Sequence, residues 1–293
     1  MASISAVDEK TGRKFYLDDP DDLRPGEKVV FLLNLHGGGS VGAWQRLYFP
    51  AVDYKEKYRL VVATPSAATK EPSRRWVGEA DDDHLHNIVD YVFKKYGKEN
   101  IRSFWLVGHS QGGMTSNRLL AEDDFFKKRI DGWLSLSGGR IGPAERAPGF
   151  GRPASGPATP PPPGFFGPRA DPDCDISFIY ATGEHEIASL PETSPWATKY
   201  GAGARVRLPD VVDDQPGQIY DSLSEGRSTP AWGLYPRPGT AQVYVYPNAR
   251  DGRLIADVVR MDKGHTEGLE PKITDELIKM IVAAPGGKAG TAP

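Results

Sequence analysis

One junction restricts this chain more than any other feature. The unbroken apolar run Phe104-Trp105-Leu106-Val107 passes directly into Gly108-His109-Ser110-Gln111-Gly112-Gly113, and residues 114–121 beyond it read as helix. A short apolar run closed by glycine reads as a strand buried on both faces, so the sheet that holds it must be covered on two sides. The Gly-x-Ser-x-Gly spacing between strand and helix has a steric reason. The serine must occupy a strained turn that lifts its hydroxyl clear of the sheet, and the flanking glycines let strand and helix approach without a Cβ clash. The following helix directs its positive end at negative charge developing near that hydroxyl. Ser110 is therefore the candidate nucleophile.

The rest of the chain repeats the strand-and-helix alternation. Residues 29–33 and 60–63 are apolar runs of the same kind, and 132–137 and 176–180 read as further strands. Between the second run and Phe104, Leu85, Ile88, Val89, Val92, Phe93 and Tyr96 share one helical face, with Asp81, Asp82 and Asp83 at the helix start where carboxylates suit the dipole. Strand, helix, strand implies parallel pairing with a right-handed crossover. Residues 242–246 and 254–259 read as a hairpin or two separate strands, and a final helix over 271–282 puts Ile273, Leu277, Ile278 and Ile281 on one face.

Two stretches interrupt the pattern. Residues 148–172 hold nine prolines, Pro160 to Pro163 among them, and read as an irregular or polyproline-like insertion because proline fixes φ and removes a backbone donor. Residues 191–238, rich in Gly, Pro and charge, read as a second excursion from the sheet. The expectation is one α/β domain over 1–293 with a mostly parallel central sheet flanked by helices. The Pro-rich insertion, 148–173, lies near the candidate site, and 191–238 is a second lid or pocket-forming element.

Composition removes several classes of function. A net charge of −3 lacks the basic footprint of nucleic-acid or anionic-membrane binding, and 39% hydrophobic with 26% charged residues fits an ordinary soluble domain. Residues 1–14 carry Asp8, Glu9, Lys10, Arg13 and Lys14 without an apolar run, so no signal-peptide core or membrane span is expected there. The expected location is cytoplasmic; a mature secreted form with its leader removed would read the same. Cys174 is the single cysteine, which excludes an internal disulfide. His84-x-His86 at a helix start sends its two rings apart, and no metal or other cofactor is expected. The sequence leaves the oligomeric state open.

A serine hydroxyl is a weak nucleophile until a base takes its proton, and developing charge on a carbonyl oxygen needs donors aimed at it. His36-Gly37-Gly38-Gly39 follows the first buried strand, where glycines let backbone N–H groups point inward; Gly37 or Gly38 and the N–H of Gln111 are the candidate oxyanion donors. His265, after the last apolar run and before the last helix, is the candidate base. The acid is expected on the loop Gly183-Glu184-His185-Glu186, at either Glu184 or Glu186, with Asp210, Asp213 and Asp214 as further candidates.

On these residues the chain resembles the α/β-hydrolase esterases related to polyhydroxybutyrate depolymerases and feruloyl esterases. The resemblance covers residues 31–139: the His-Gly-Gly-Gly loop at 35–39, Trp76 followed by the acidic cluster at 81–83, and the elbow running from Gly108 to Met114. It implies an α/β-hydrolase fold and cofactor-free hydrolysis of a small-molecule or oligomeric ester of feruloyl, acetyl or hydroxyalkanoate type. Relatives place the acid at the end of a Gly-x-x-Asp loop. Here that position holds Glu186, a departure that points to Glu186 over Glu184. Trp44, Trp76 and His109 are the expected substrate contacts, with Phe165 and Phe166 in a flap over the site. The rivals are a peptidase or acyltransferase on the same scaffold and a catalytically inactive binding protein. Joint retention of serine, histidine and glycine loop speaks against the last.

Overall fold

The computed structural model describes residues 5–71, 73–140, 173–187, 189–218, 230–233 and 236–292. Phe165, Phe166 and all of the Pro-rich insertion except Asp173 lie outside the described residues, as does part of 191–238. In chain order the strands are β1 (Ser5–Asp8), β2 (Arg13–Asp18), β3 (Val29–Leu35), β4 (Leu60–Pro65), β5 (Ile101–His109), β6 (Gly132–Leu136), β7 (Ser177–Gly183), β8 (Val206–Arg207), β9 (Val211–Val212), β10 (Thr240–Val245) and β11 (Ile255–Arg260). The helices are α1 (Gly42–Tyr48), α2 (Lys55–Tyr58), α3 (Gly78–Tyr96), α4 (Gln111–Glu122), α5 (Asp124–Lys127), α6 (Pro195–Lys199), α7 (Pro271–Ala283) and α8 (Lys288–Thr291).

The apolar runs become the middle of one sheet ordered β1-β2-β4-β3-β5-β6-β7-β11-β10-β8, with β9 also on β10. From β4 through β11 every neighbouring pair is parallel, while β1, β2 and β10 join antiparallel at the two sides. Residues 240–245 and 255–260 are thus an antiparallel pair. The stretch 191–238, expected wholly outside the sheet, contributes β8 and β9 to its edge.

Why the central strands read as continuous apolar runs is plain from their two faces. Phe31, Leu33 and Leu35 of β3 enter one core layer with Leu85, Ile88, Val89 and Val92 of α3. Val30 and Leu32 enter the other with Ile273, Leu277, Ile278 and Ile281 of α7. Each such side chain, at 0–1% exposure, stabilises the fold by roughly 1.5–3 kcal/mol. The helix over 85–96 begins earlier than expected, at Gly78. Asp81 is fully buried there, and its carboxylate accepts from Val77 N–H at 2.9 Å and from Arg13 at 2.7 Å, tying the helix start to β2.

β3 is flanked by β4 on one side and β5 on the other, so the chain steps outward from β3 to β4 and then crosses back past β3 to β5. The carboxyl ends of such strands border the crevice where open α/β sheets carry their sites. Among the described residues no helix is long and apolar enough to cross a membrane.

Candidate active site

Ser110 sits between β5 and α4 with φ 52° and ψ −117°, a backbone conformation that L-residues avoid and that stores about 1–3 kcal/mol. Its N–H donates to Leu136 O of β6 at 2.9 Å and its carbonyl accepts from Met114 N–H of α4 at 3.1 Å, so β6 and α4 hold the turn. The glycines are steric necessities. A Cβ on Gly108 would lie 2.3 Å from the Gly112 carbonyl carbon, and one on Gly112 would lie 2.3 Å from Leu35 O.

The loop after β3 lies against this turn. A Cβ on Gly37 would meet His109 Nδ1 at 2.8 Å and Ser110 Cβ at 3.2 Å, and one on Gly38 would face Gln111 Oε1 at 3.6 Å. His36 is buried, and that burial holds its imidazole down at about 4, keeping the ring neutral. Its Nε2 accepts from Ala67 N–H at 3.0 Å, which leaves the ring proton on Nδ1 to donate to Gly37 O at 2.7 Å. Ser40 N–H also reaches that carbonyl, at 3.3 Å. In a trans peptide the carbonyl and the following N–H point opposite ways, so Gly38 N–H is turned away from His36.

His265 and Glu186 come together across parallel strands. Arg260 of β11 pairs with Gly183 of β7. The turn after each strand is then in backbone contact with the other: a Cβ on Gly183 would lie 2.3 Å from Lys263 O, and His185 N–H donates to that carbonyl at 3.0 Å. His265 Nδ1 donates to Glu186 Oε2 at 2.7 Å, with both side chains buried. Glu186 Oε1 accepts from Gly183 N–H at 2.8 Å and from Ser137 Oγ at 2.7 Å. Burial alone would raise the Glu186 carboxyl, but His265 and these donors outweigh it and hold the group below its ordinary range.

The other carboxylates are engaged elsewhere. Glu184 is exposed and accepts from Asp262 N–H at 2.7 Å. Asp213 receives Lys272 N–H at 2.6 Å at the start of α7, Asp214 pairs with Lys272 at 3.1 Å, and Asp210 pairs with Arg207 at 2.8 Å.

The expected substrate contacts divide. Trp44 is 39% exposed on α1. Trp76, by contrast, is 7% exposed and donates its indole N–H to His36 O at 2.8 Å, behind the glycine loop. His109 is more deeply buried still. At 1% exposure it donates from Nε2 to His265 O at 2.9 Å and packs against the Tyr48 ring, centres 3.8 Å apart and planes tilted by 32°. Burial, reinforced by His265, pushes its pKa well down, so a neutral ring supports the His265 loop. His84 and His86 point apart as expected, to Asp8 at 2.8 Å and Asp123 at 2.6 Å.

Sequence reasoning does not reach several residues here. Ser137, with φ 54°, offers only its place directly after a buried strand as a signal. Trp232 meets the His265 ring edge-on, centres 5.2 Å apart at 89°, and Ala231 O accepts from His265 N–H at 2.9 Å. Behind the loop, buried Arg260 donates to Glu267 O at 2.7 Å and Gly268 O at 2.8 Å, while Lys263 pairs with Glu270 at 2.9 Å.

Comparison with known proteins agrees with this architecture. The profile described as alpha/beta hydrolase family matches residues 29–281. The solved acetyl xylan esterase from Aspergillus awamori is 12% identical, covers 96% of this chain and 100% of its own, and superposes with a TM-score of 0.52. A butyrate-bound esterase, Est2 of Thermogutta terrifontis, is 15% identical over 62% of this chain and 72% of its own, with a TM-score of 0.40. No curated protein matches the sequence. With the profile spanning most of the chain over the sheet just described, the protein belongs to the alpha/beta hydrolase family.

Proposed function

We propose that the protein is a serine carboxylic-ester hydrolase in which Ser110 is the nucleophile, His265 the general base and Glu186 the acid that orients it. The observation that carries this reading is the buried 2.7 Å bond from His265 Nδ1 to Glu186, which fixes the ring proton on Nδ1 and leaves Nε2 a lone pair. Ser110 Oγ adds to the ester carbonyl as Nε2 takes its proton. Gly38 N–H, turned away from His36, and Gln111 N–H at the start of α4 stabilise the tetrahedral oxyanion. Collapse expels the alcohol, which takes the proton from His265, and water then cleaves the acyl-enzyme by the same steps.

The substrate class is a small or aromatic ester. It is supported by the sequence resemblance to feruloyl and hydroxyalkanoate esterases and by the acetyl xylan esterase activity named for the Aspergillus awamori protein. The test is hydrolysis of p-nitrophenyl esters of increasing acyl length, beside methyl ferulate, by wild type and Ser110→Ala. Turnover by wild type with loss to background in Ser110→Ala supports the reading. Equal activity in both proteins removes it, and turnover of amides without esters replaces it with a peptidase.

A further inference from the structure

We propose that Trp76 is a positioning residue that holds the two halves of the oxyanion hole in register, a role that rests on the hydrolase reading above. One half is the Gly37-Gly38-Gly39 loop after β3; the other is the N-terminus of α4 at Gln111. They come from different parts of the chain, and a run of three glycines has more backbone freedom than any other tripeptide. Donors aimed at an oxyanion act only when held at about 2.7–3.1 Å from it, so something rigid must fix one half against the other.

The segment 67–76, after β4, does this through four bonds. Ala67 N–H donates to His36 Nε2 at 3.0 Å, and Arg74 O accepts from Gly39 N–H at 2.7 Å. Trp76 supplies the remaining two and touches both halves: its indole N–H donates to His36 O at 2.8 Å, and its backbone N–H donates to Gln111 Oε1 at 3.2 Å. Its ring also packs on the His36 imidazole with centres 4.7 Å apart. At 7% exposure the indole is anchored in the core layer that holds Leu35, Leu85 and Leu119, so the clamp is tied to the body of the fold. His36 in turn orients the Gly37 carbonyl, and through that peptide the Gly38 N–H.

Trp76→Phe keeps an aromatic ring in the same place and removes the indole N–H. Gln111→Met removes the acceptor for Trp76 N–H and keeps the Gln111 backbone donor. Each variant is expected to lower kcat about ten-fold, less than outright loss of a donor, with KM within about two-fold of wild type. The inhibition constant of a trifluoromethyl ketone, whose adduct carries the oxyanion, rises in proportion to the loss in kcat/KM. Hydrogen exchange read by mass spectrometry speeds up over residues 36–40 in Trp76→Phe while the strands keep wild-type protection. Wild-type kcat in both variants together with unchanged exchange over 36–40 overturns the clamp and leaves the Ser110 reading standing. A wild-type enzyme that hydrolyses no ester overturns the hydrolase reading, and the oxyanion role falls with it.

Discussion

Replacing Glu186 by glutamine separates charge and proton placement from shape. The carboxylate takes three hydrogen bonds: Oε1 receives Gly183 N–H at 2.8 Å and Ser137 Oγ at 2.7 Å, and Oε2 receives His265 Nδ1–H at 2.7 Å. An amide has one oxygen and one N–H2 group to fill these places. Ser137 can rotate its hydroxyl, but the Gly183 N–H is fixed by backbone. Turning the amide nitrogen toward Gly183 would bury two donors face to face, at about 1–3 kcal/mol. The oxygen therefore stays on Gly183 and the N–H2 faces His265, whose Nδ1 must become an acceptor. The ring proton moves to Nε2, where the mechanism needs a lone pair. The loss of the negative charge beside the imidazolium adds to this. Together they are expected to reduce kcat on p-nitrophenyl acetate by about four orders of magnitude, about 5 kcal/mol in barrier. Glu184→Gln, whose target bonds only Asp262 N–H in an exposed turn, stays within about two-fold. Both variants should show wild-type circular dichroism. A folded Glu186→Gln within ten-fold of wild type, or equal damage from Glu184→Gln, would refute the reasoning.

Three further outcomes follow from the same geometry. Gly37→Ala forces a Cβ to within 2.8 Å of His109 Nδ1 and 3.2 Å of Ser110 Cβ, so kcat falls while urea stability drops by about 1–3 kcal/mol at most; unchanged kinetics would show that the loop yields freely. Arg140→Met leaves the Asp257 carboxylate, now paired at 2.8 and 2.9 Å, buried without a counter-charge, and costs about 3–5 kcal/mol in urea unfolding. Adding Asp257→Leu should recover most of that loss. Asp8, buried but bonded to Thr11, His84, Asn87 and Lys10 N–H, has its carboxyl held far below the usual range despite the cost of burial. A depressed folded-state pKa gives stability that is present above about pH 4 and is lost as pH falls toward the folded value. Asp8→Asn should therefore unfold more easily at neutral pH, with the gap to wild type closing below pH 4; a gap that widens on acidification would contradict the assignment.

What the sequence discloses and what it hides follow from the range of the forces. The strands of the parallel sheet are legible because burial on two faces demands unbroken apolar runs, and the Ser110 turn because Gly108 answers the close approach of Gly112 within the same turn, although Gly112 itself answers Leu35 far away in the chain. His265 and Glu186 are legible by their order after strands, since neighbouring parallel strands deliver their following turns to one place. The surroundings of Trp76 and His109 are hidden: an aromatic near a glycine loop can face solvent or core, and the contacts with His36 and Tyr48 are made by residues distant in the chain. Ser137 and Trp232 act across 49 and 33 residues of chain, respectively, beyond the reach of any local pattern. The two-residue strands β8 and β9 are too short to carry a period.

The most direct test of the central claim is covalent labelling with an alkyl fluorophosphonate, followed by peptide mapping. A phosphonyl adduct on Ser110 in wild type, strongly slowed in His265→Ala and absent in Ser110→Ala, is the result that the Ser110, His265 and Glu186 arrangement predicts. A folded wild type that takes no adduct, or takes it at another residue, would contradict the account.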